Sequence, residues 1–407
     1  MTEFLQLALA LVILISAAKL GGYISLRLGQ PSVLGELIAG LILGPSLLDL
    51  LHHTPFTSQH LDETIALLAE MGVLLLMFLA GLELHIQDLA KAGKVSALAG
   101  TLGVIFPVAM GFGLGRLFGM EPMPSLFVGL VLAATSVSIS AQTLMELGVL
   151  RSRVGIGLLG AAVFDDVLVI LGLSIILAMT TGEGGLASVG LVLLSMTLYL
   201  VVASALGVLA LPRLARRVDK LPVSQGLTAF VLVTLLLFAW AAEALGSMAA
   251  ITGAFMAGLF LSRSPLRERI QANIAVIAYG LFVPIFFVSV GLVANARMLI
   301  GEALWLSVAM IAVAIVSKIA GAGLGARLAS FTNRESLQLG VGMMSRGEVG
   351  LIVATLGVSQ GLLNGQLFAG VVGVVIVTTL LTPPALRMMF ARPTAPAQSP
   401  PAAAVEE

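Results

Sequence analysis

Two adjacent carboxylates in an otherwise apolar stretch, Asp165 and Asp166 in GAAVFDDVLVILGL, are the residues of this chain best placed to do chemistry. About ten apolar or small residues flank them on either side, and nothing near them in sequence neutralises them. A charged side chain at membrane depth costs at least about 2.5–3.5 kcal/mol, so its retention points to function. Neighbouring helical residues project about 100° apart, which lets one carboxylate meet a protein partner while the other faces a water-filled cavity. The bland alternative is two acids held by structural hydrogen bonds. It is disfavoured, because apolar residues would be more stable in both places. A carboxylate so placed can hold either a proton or a dehydrated cation.

Lys318, in IAVAIVSKIAGAGLGA, is the only Lys deep in an apolar run, and there it must find an anionic partner or lose its proton. One of the two aspartates is the natural candidate, and a purely structural Lys bridging two parts of a bundle is the alternative. Gly321, Gly323 and Gly325 beside it let another helix approach closely. Two further segments read as interrupted helices. LAATSVSISAQTL carries Thr135, Ser136, Ser138, Ser140, Gln142 and Thr143, a cluster whose hydroxyls and freed carbonyls suit a cation. GVGMMSRGEVGLI sets Gly340, Gly342, Gly347 and Gly350 around Arg346 and Glu348, which would pair with each other only on an unwound backbone. Lys19, Glu36, Glu83 and Glu146 fall near span ends and read as boundary residues, as do Glu70 and Glu243 on the other side.

The elements that must position these groups are transmembrane helices. With 59% hydrophobic and only 10% charged residues, and a mean hydropathy of +1.10, the chain has too little polar surface for a soluble protein of its size. Net charge is zero and no basic block stands out, which argues against nucleic acid. Cysteine is absent and the four histidines show no metal-binding spacing, so no cofactor is expected. Thirteen windows are long and apolar enough to cross, at roughly 4–26, 32–49, 64–84, 95–118, 124–146, 154–180, 186–211, 225–245, 247–262, 272–294, 302–328, 336–360 and 366–390. The first lacks a basic leader and exceeds a signal-peptide core, so it is expected to be retained.

Sixteen Lys and Arg fall on the loops after the odd-numbered windows and at the C-terminal end, against two, Arg116 and Arg297, on the alternate loops. The positive-inside rule therefore puts the N-terminus outside and the C-terminus in the cytoplasm of a cell (inner) membrane. Windows 4–6 and 11–13 correspond by position with opposite orientation, the mark of inverted repeats built around two broken crossing helices. Residues after Arg392, PTAPAQSPPAAAVEE, are too rich in Pro and Ala to fold and are expected to form a disordered cytoplasmic tail over 393–407.

The motifs ATSVSISAQTLMELG, LLGAAVFDDVLVI, ITGAFMAGLFLS, VPIFFVSVGL, SKIAGAGLGA and MMSRGEVGLIVATLG, in this order, resemble the cation:proton antiporter-2 family, in particular its NapA-type Na+/H+ antiporters. The resemblance runs from QPSVLGELIAGLILGP to the last window, and FDD and SRGEVGLI are its most specific elements. It implies a membrane domain over about 1–392, with a mobile core at about 95–180 and 302–390 and a dimerisation scaffold at about 1–94 and 186–294. It also implies a homodimer working as an elevator. By motif, Asp166 would carry the Na+ or the proton, helped by Asp165, Thr135 and Ser136. Asp165 would pair with Lys318, and Arg346 with Glu348 would be a structural polar pair. Ser138 departs from the family pattern, which has Gly there, and leaves the cation's identity open.

The expected activity is exchange of Na+ or Li+ for H+, electrogenic if Lys318 takes part in the cycle. The rivals are K+/H+ exchange of the Kef type, a Na+-coupled organic anion symporter and a cation channel. A continuous pore is a poor match for an acid pair opposite a buried Lys.

Overall fold

In hydrocarbon every backbone N–H and C=O must pair within the protein, and long apolar runs do so by forming helices. The computed structural model describes residues 2–56, 58, 60–181, 185–293, 297 and 303–391, and the tail expected to be disordered lies outside the described residues. In chain order the helices are α1 (Glu3–Arg27), α2 (Ser32–Leu43), α3 (Leu61–Glu83), α4 (Ile86–Lys91), α5 (Gly93–Leu117), α6 (Pro122–Ala133), α7 (Val137–Glu146), α8 (Arg153–Thr181) and α9 (Gly185–Leu209). They continue as α10 (Leu211–Val218), α11 (Gly226–Ala244), α12 (Ala250–Leu261), α13 (Arg267–Ile277), α14 (Val283–Val293), α15 (Ala303–Leu328), α16 (Asn333–Gly342), α17 (Glu348–Ser359) and α18 (Gly365–Phe390). A π-helical turn, Ala278–Phe282, joins α13 to α14.

Ten stretches among the described residues are long and apolar enough to cross a membrane, counting α6 with α7, and α13 with α14, as one each. The chain is thus an all-helical, multi-pass membrane protein. Three shorter apolar helices, α2, α12 and most of α17, separate this count from the thirteen windows read in the sequence. A helix of 12 residues, such as α2 or α12, rises only about 18 Å against roughly 30 Å of hydrocarbon, so length alone does not make these crossings.

The packing places the chemistry. α5 lies against α15, α6 and α8, while α3 lies against α12 and α14, α1 against α2, and α2 against α14. Where α5 meets α15 the backbones touch: a Cβ at Gly321 would stand 2.3 Å from the Leu102 carbonyl and one at Gly325 2.4 Å from that of Leu98. Glycine is the residue that permits this crossing, and the crossing brings Lys318 of α15 within reach of α6 and α8. One buried apolar cluster joins α5, α6, α8, α15, α17 and α18, with Phe127 and Met310 fully enclosed. A larger one runs through α1–α3, α7, α8 and α11–α14. By contrast α9 turns Leu194, Leu198, Val201 and Leu206 outward, as a helix facing lipid or a second subunit would.

Candidate functional site

The α6–α7 stretch and the α16–α17 window both break, and the breaks meet. α6 ends at Ala133 and α7 begins at Val137, leaving Ala134–Ser136 extended. α16 ends at Gly342 and α17 begins at Glu348. The Ser136 N–H donates to the Ser345 carbonyl at 2.9 Å, and the Ser140 hydroxyl donates to the Gly342 carbonyl at 2.5 Å. A backbone N–H freed by one break and a hydroxyl beside it therefore satisfy carbonyls freed by the other, as unwound chain needs at membrane depth.

Each broken helix also has a buried cation at the C-terminal end of its first half, where carbonyls lack intrahelical partners and the helix dipole is negative. At α6 it is Lys318, fully buried, whose ammonium donates to the Ala133 carbonyl at 2.9 Å, the Gly103 carbonyl at 2.7 Å and Asp165 Oδ1 at 2.5 Å. Those three bonds use every N–H of the group. At α16 it is Arg346, whose guanidinium donates to the carbonyls of Met343, Met344 and Ser345 at 3.1–3.2 Å and, from the other terminal nitrogen, to that of Ala314 at 3.1 Å. The Arg346 backbone is held in turn by two threonines of α18: its N–H donates to Thr378 Oγ1 at 3.0 Å, and its carbonyl accepts the Thr379 hydroxyl at 2.7 Å.

The acid pair on α8 divides as neighbouring helical positions must. Asp165 points toward α15 and α6 and has no exposed surface; besides Lys318 it accepts the Thr135 hydroxyl on Oδ2 at 2.5 Å. Asp166 points the other way, into a cavity of about 10 Å³ bounded by Val137 of α7, Met77 of α3, and Ile251, Thr252 and Phe255 of α12. Such a volume has room for about one water and none for a hydrated ion. A separate cavity of about 490 Å³ opens at the C-terminal end of α2, between α3 and α14, with Asp49, His52, Asp62 and Glu70 among its polar walls.

The structure thus brings together Asp165, Asp166, Thr135, Ser136 and Lys318, and sets Arg346 across the second break. The side chain of Glu348 lies outside the described residues, so its pairing with Arg346 does too. Part of the polar cluster read in the sequence turns away from the site. Gln142 pairs with Glu146 and Tyr279, and the Thr143 hydroxyl bonds back to the Ile139 carbonyl one turn earlier. Ser138 stays, its hydroxyl 3.2 Å from that of Ser136. Glu36, read as a boundary residue, is instead buried within α2, which packs on both faces. Sequence reasoning also missed Thr378 and Thr379; their adjacent hydroxyls in an apolar helix were the available signal.

The family model for "Sodium/hydrogen exchanger, transmembrane" matches residues 12–392. The Na+/H+-K+ antiporter GerN of Bacillus cereus is 40% identical over 390 residues, covering 95% of this chain and 96% of that protein. A Na+/H+ antiporter of Enterococcus hirae is 34% identical over 374 residues, covering 92% and 95%. Among solved structures, the sodium proton antiporter MjNhaP1 of Methanocaldococcus jannaschii superposes with a TM-score of 0.67 at 18% identity, over 95% of this chain and 97% of that one, a likeness of fold.

Proposed function

The chain belongs to the sodium/hydrogen exchanger family, and from that premise we propose that it is a secondary antiporter exchanging Na+, or Li+, for protons. The observation that carries the reading is the division within the acid pair. Asp165 is bound to Lys318 and Thr135, whereas Asp166 borders a small cavity on the side of α3 and α12. A carboxylate bordering that cavity can take a proton or a cation shed of its water, and it cannot hold both at once. Competition for Asp166 couples the two flows, and hard oxygen ligands such as Thr135, Ser136 and the freed carbonyls suit a small alkali cation.

In this proposal α5–α8 and α15–α18 form the moving core, and α1–α3 with α9–α14 the scaffold through which two subunits associate as a homodimer. Thirteen crossings, inverted repeats around the two breaks, an external N-terminus and a cytoplasmic C-terminus complete it, supported by the Lys and Arg distribution. Asp166 passes from one side to the other as the core slides against α3 and α12. Dilution of purified protein into vesicles with a pH-sensitive dye, followed by pulses of Na+, Li+ and K+, tests the reading. Proton release on Na+ addition is expected, and its absence with every monovalent cation would remove the proposal. K+/H+ exchange is the second reading, favoured by the K+ in the name of GerN, and the K+ pulse of the same assay decides it.

A further inference from the structure

Glu146 closes α7 at the end where a carboxylate is least stable, since the carbonyls at a helix C-terminus repel negative charge. Another helix accounts for its position. Glu146 Oε2 accepts the Ser32 backbone N–H and Oε1 accepts the Ser32 hydroxyl, each at 2.6 Å. Ser32 is the first residue of α2, and the preceding Pro31 has no side chain with which to cap it. Glu146 therefore caps α2 from across the bundle, matching its carboxylate to the positive end of that helix. Gln142, one turn back on α7, donates to Glu146 Oε1 at 2.8 Å and accepts the Tyr279 hydroxyl at 3.3 Å. Tyr279 lies in the π-helical turn, and its carbonyl takes the Lys19 ammonium at 2.8 Å.

α7 is thus tied to α2, to the π turn and through it to α1, at the end of the bundle that the basic residues mark as cytoplasmic. At the other end of α2 lies the 490 Å³ cavity. The ten residues of α7 span about 15 Å, with Val137 beside Asp166 at one end and Glu146 at the other. We propose that Glu146 and Gln142 are the inner gate of exchange: positioning residues that touch no ion but hold α7 to α2, and so set how often Asp166 faces the cytoplasm. The proposal rests on the antiport reading above. For the site to open inward, α7 must leave α2, giving the Ser32 N–H and the carboxylate back to water. The strength of these charge-assisted bonds biases the protein outward.

The absence of cysteine allows a direct test. A single cysteine at Val163, in the wall of the Asp166 cavity, is labelled with a charged, membrane-impermeant thiol reagent from either face of oriented vesicles. Glu146→Ala, which removes both Ser32 hydrogen bonds to the carboxylate, is expected to raise the rate from the cytoplasmic face about tenfold or more, and to lower that from the outside. Without the introduced cysteine the same variant should lower the apparent KM for Na+ on the cytoplasmic face and raise it on the external one, because apparent affinity scales with the fraction of protein facing that side. Damage to folding would reduce the maximal rate without moving the two KM values in opposite directions. Ser32→Ala, which removes one partner from the α2 side, should give a smaller change of the same sign, and Glu146→Asp a partial return. Unchanged labelling and KM on both faces in folded, active Glu146→Ala protein would overturn the gate. Loss of Na+-driven proton exchange in the unmutated protein would instead overturn the antiport reading.

Discussion

Ser136 and Ser345, 209 residues apart in sequence, join the two broken helices through a single backbone bond of 2.9 Å. The contact is tight on its side-chain face as well: a Cβ added at Gly347 would stand 2.6 Å from Ser136 Oγ and 2.7 Å from Ser136 Cβ. Rotation of the serine relieves the first clash and not the second, so the breaks must separate. Gly347→Ala is expected to cost about 1–3 kcal/mol of stability and to slow exchange severalfold. Thermal unfolding in detergent and dye-based exchange rates measure the two effects; a variant with wild-type values in both would show that the breaks are not in close register.

Asp166→Asn keeps the shape of the side chain and removes its ability to ionise. Exchange is expected to fall to background while expression, elution volume and thermal stability stay close to those of the unmutated protein, because the Asp165–Lys318 bond is untouched. Robust Na+-driven proton release by correctly inserted Asp166→Asn protein would falsify the assignment of the carrier.

The acid pair, Lys318 and both breaks were visible in the sequence because each contradicts its surroundings: a charge in an apolar run, or glycines and serines where a helix should continue. What the pattern leaves open is who meets whom. From spacing alone either aspartate could have reached Lys318, since the 100° between them fixes their divergence and not their direction. The Ser140–Gly342 and Thr379–Arg346 bonds span long stretches of chain and leave no local trace. Gln142 looked like an ion ligand because it shares a short polar segment with Thr135, yet it lies two turns further along α7, at the far end from the site. Glu36 looked peripheral because it stands near the start of a span, and packing of α2 against both α1 and α14 encloses it.

On the side read as external, His52 bridges two acids, with Nδ1 2.7 Å from Asp49 and Nε2 3.2 Å from Asp62 at the start of α3. Its pKa is raised above the usual imidazole value, chiefly by the hydrogen bond with Asp49, with the charges of Asp62 and Asp49 adding and partial burial opposing. A raised value means that the cross-link stabilises the fold fully below the ordinary histidine pKa and is lost as pH rises through the folded-state value. Over half of the ring is exposed, so the effect stays below about 1 kcal/mol. Hydrogen exchange over residues 50–64, corrected for intrinsic base catalysis, should therefore show less protection at pH of about 8 than at about 6. In His52→Ala protein protection should be low at both. Equal protection at the two pH values in the unmutated chain would refute the bridge.

The charge carried per cycle depends on whether the Asp165–Lys318 bond opens. If Lys318 releases its proton as a cation settles on Asp166, and Asp165 is then free to titrate, two protons exchange for one cation and transport is electrogenic. If the bond stays closed, Asp166 alone titrates, exchange is one for one, and membrane potential leaves the equilibrium unchanged. We propose the first case. A cation on Asp166 would bring positive charge one residue from the pair, whose ammonium is fully buried. Its three bonds also tie it to the Ala133 carbonyl at the edge of the first break, so a change at Lys318 alters the end of α6 beside the ion site. Lys318→Gln, which keeps hydrogen-bonding capacity without a charge, is expected to retain exchange and to lose most of its voltage dependence. Currents on solid-supported membranes and reversal potentials in reconstituted vesicles measure this directly. Zero net charge movement by the unmutated protein during vigorous Na+/H+ exchange would place Asp165 and Lys318 outside the cycle, as a brace for the broken helix and nothing more.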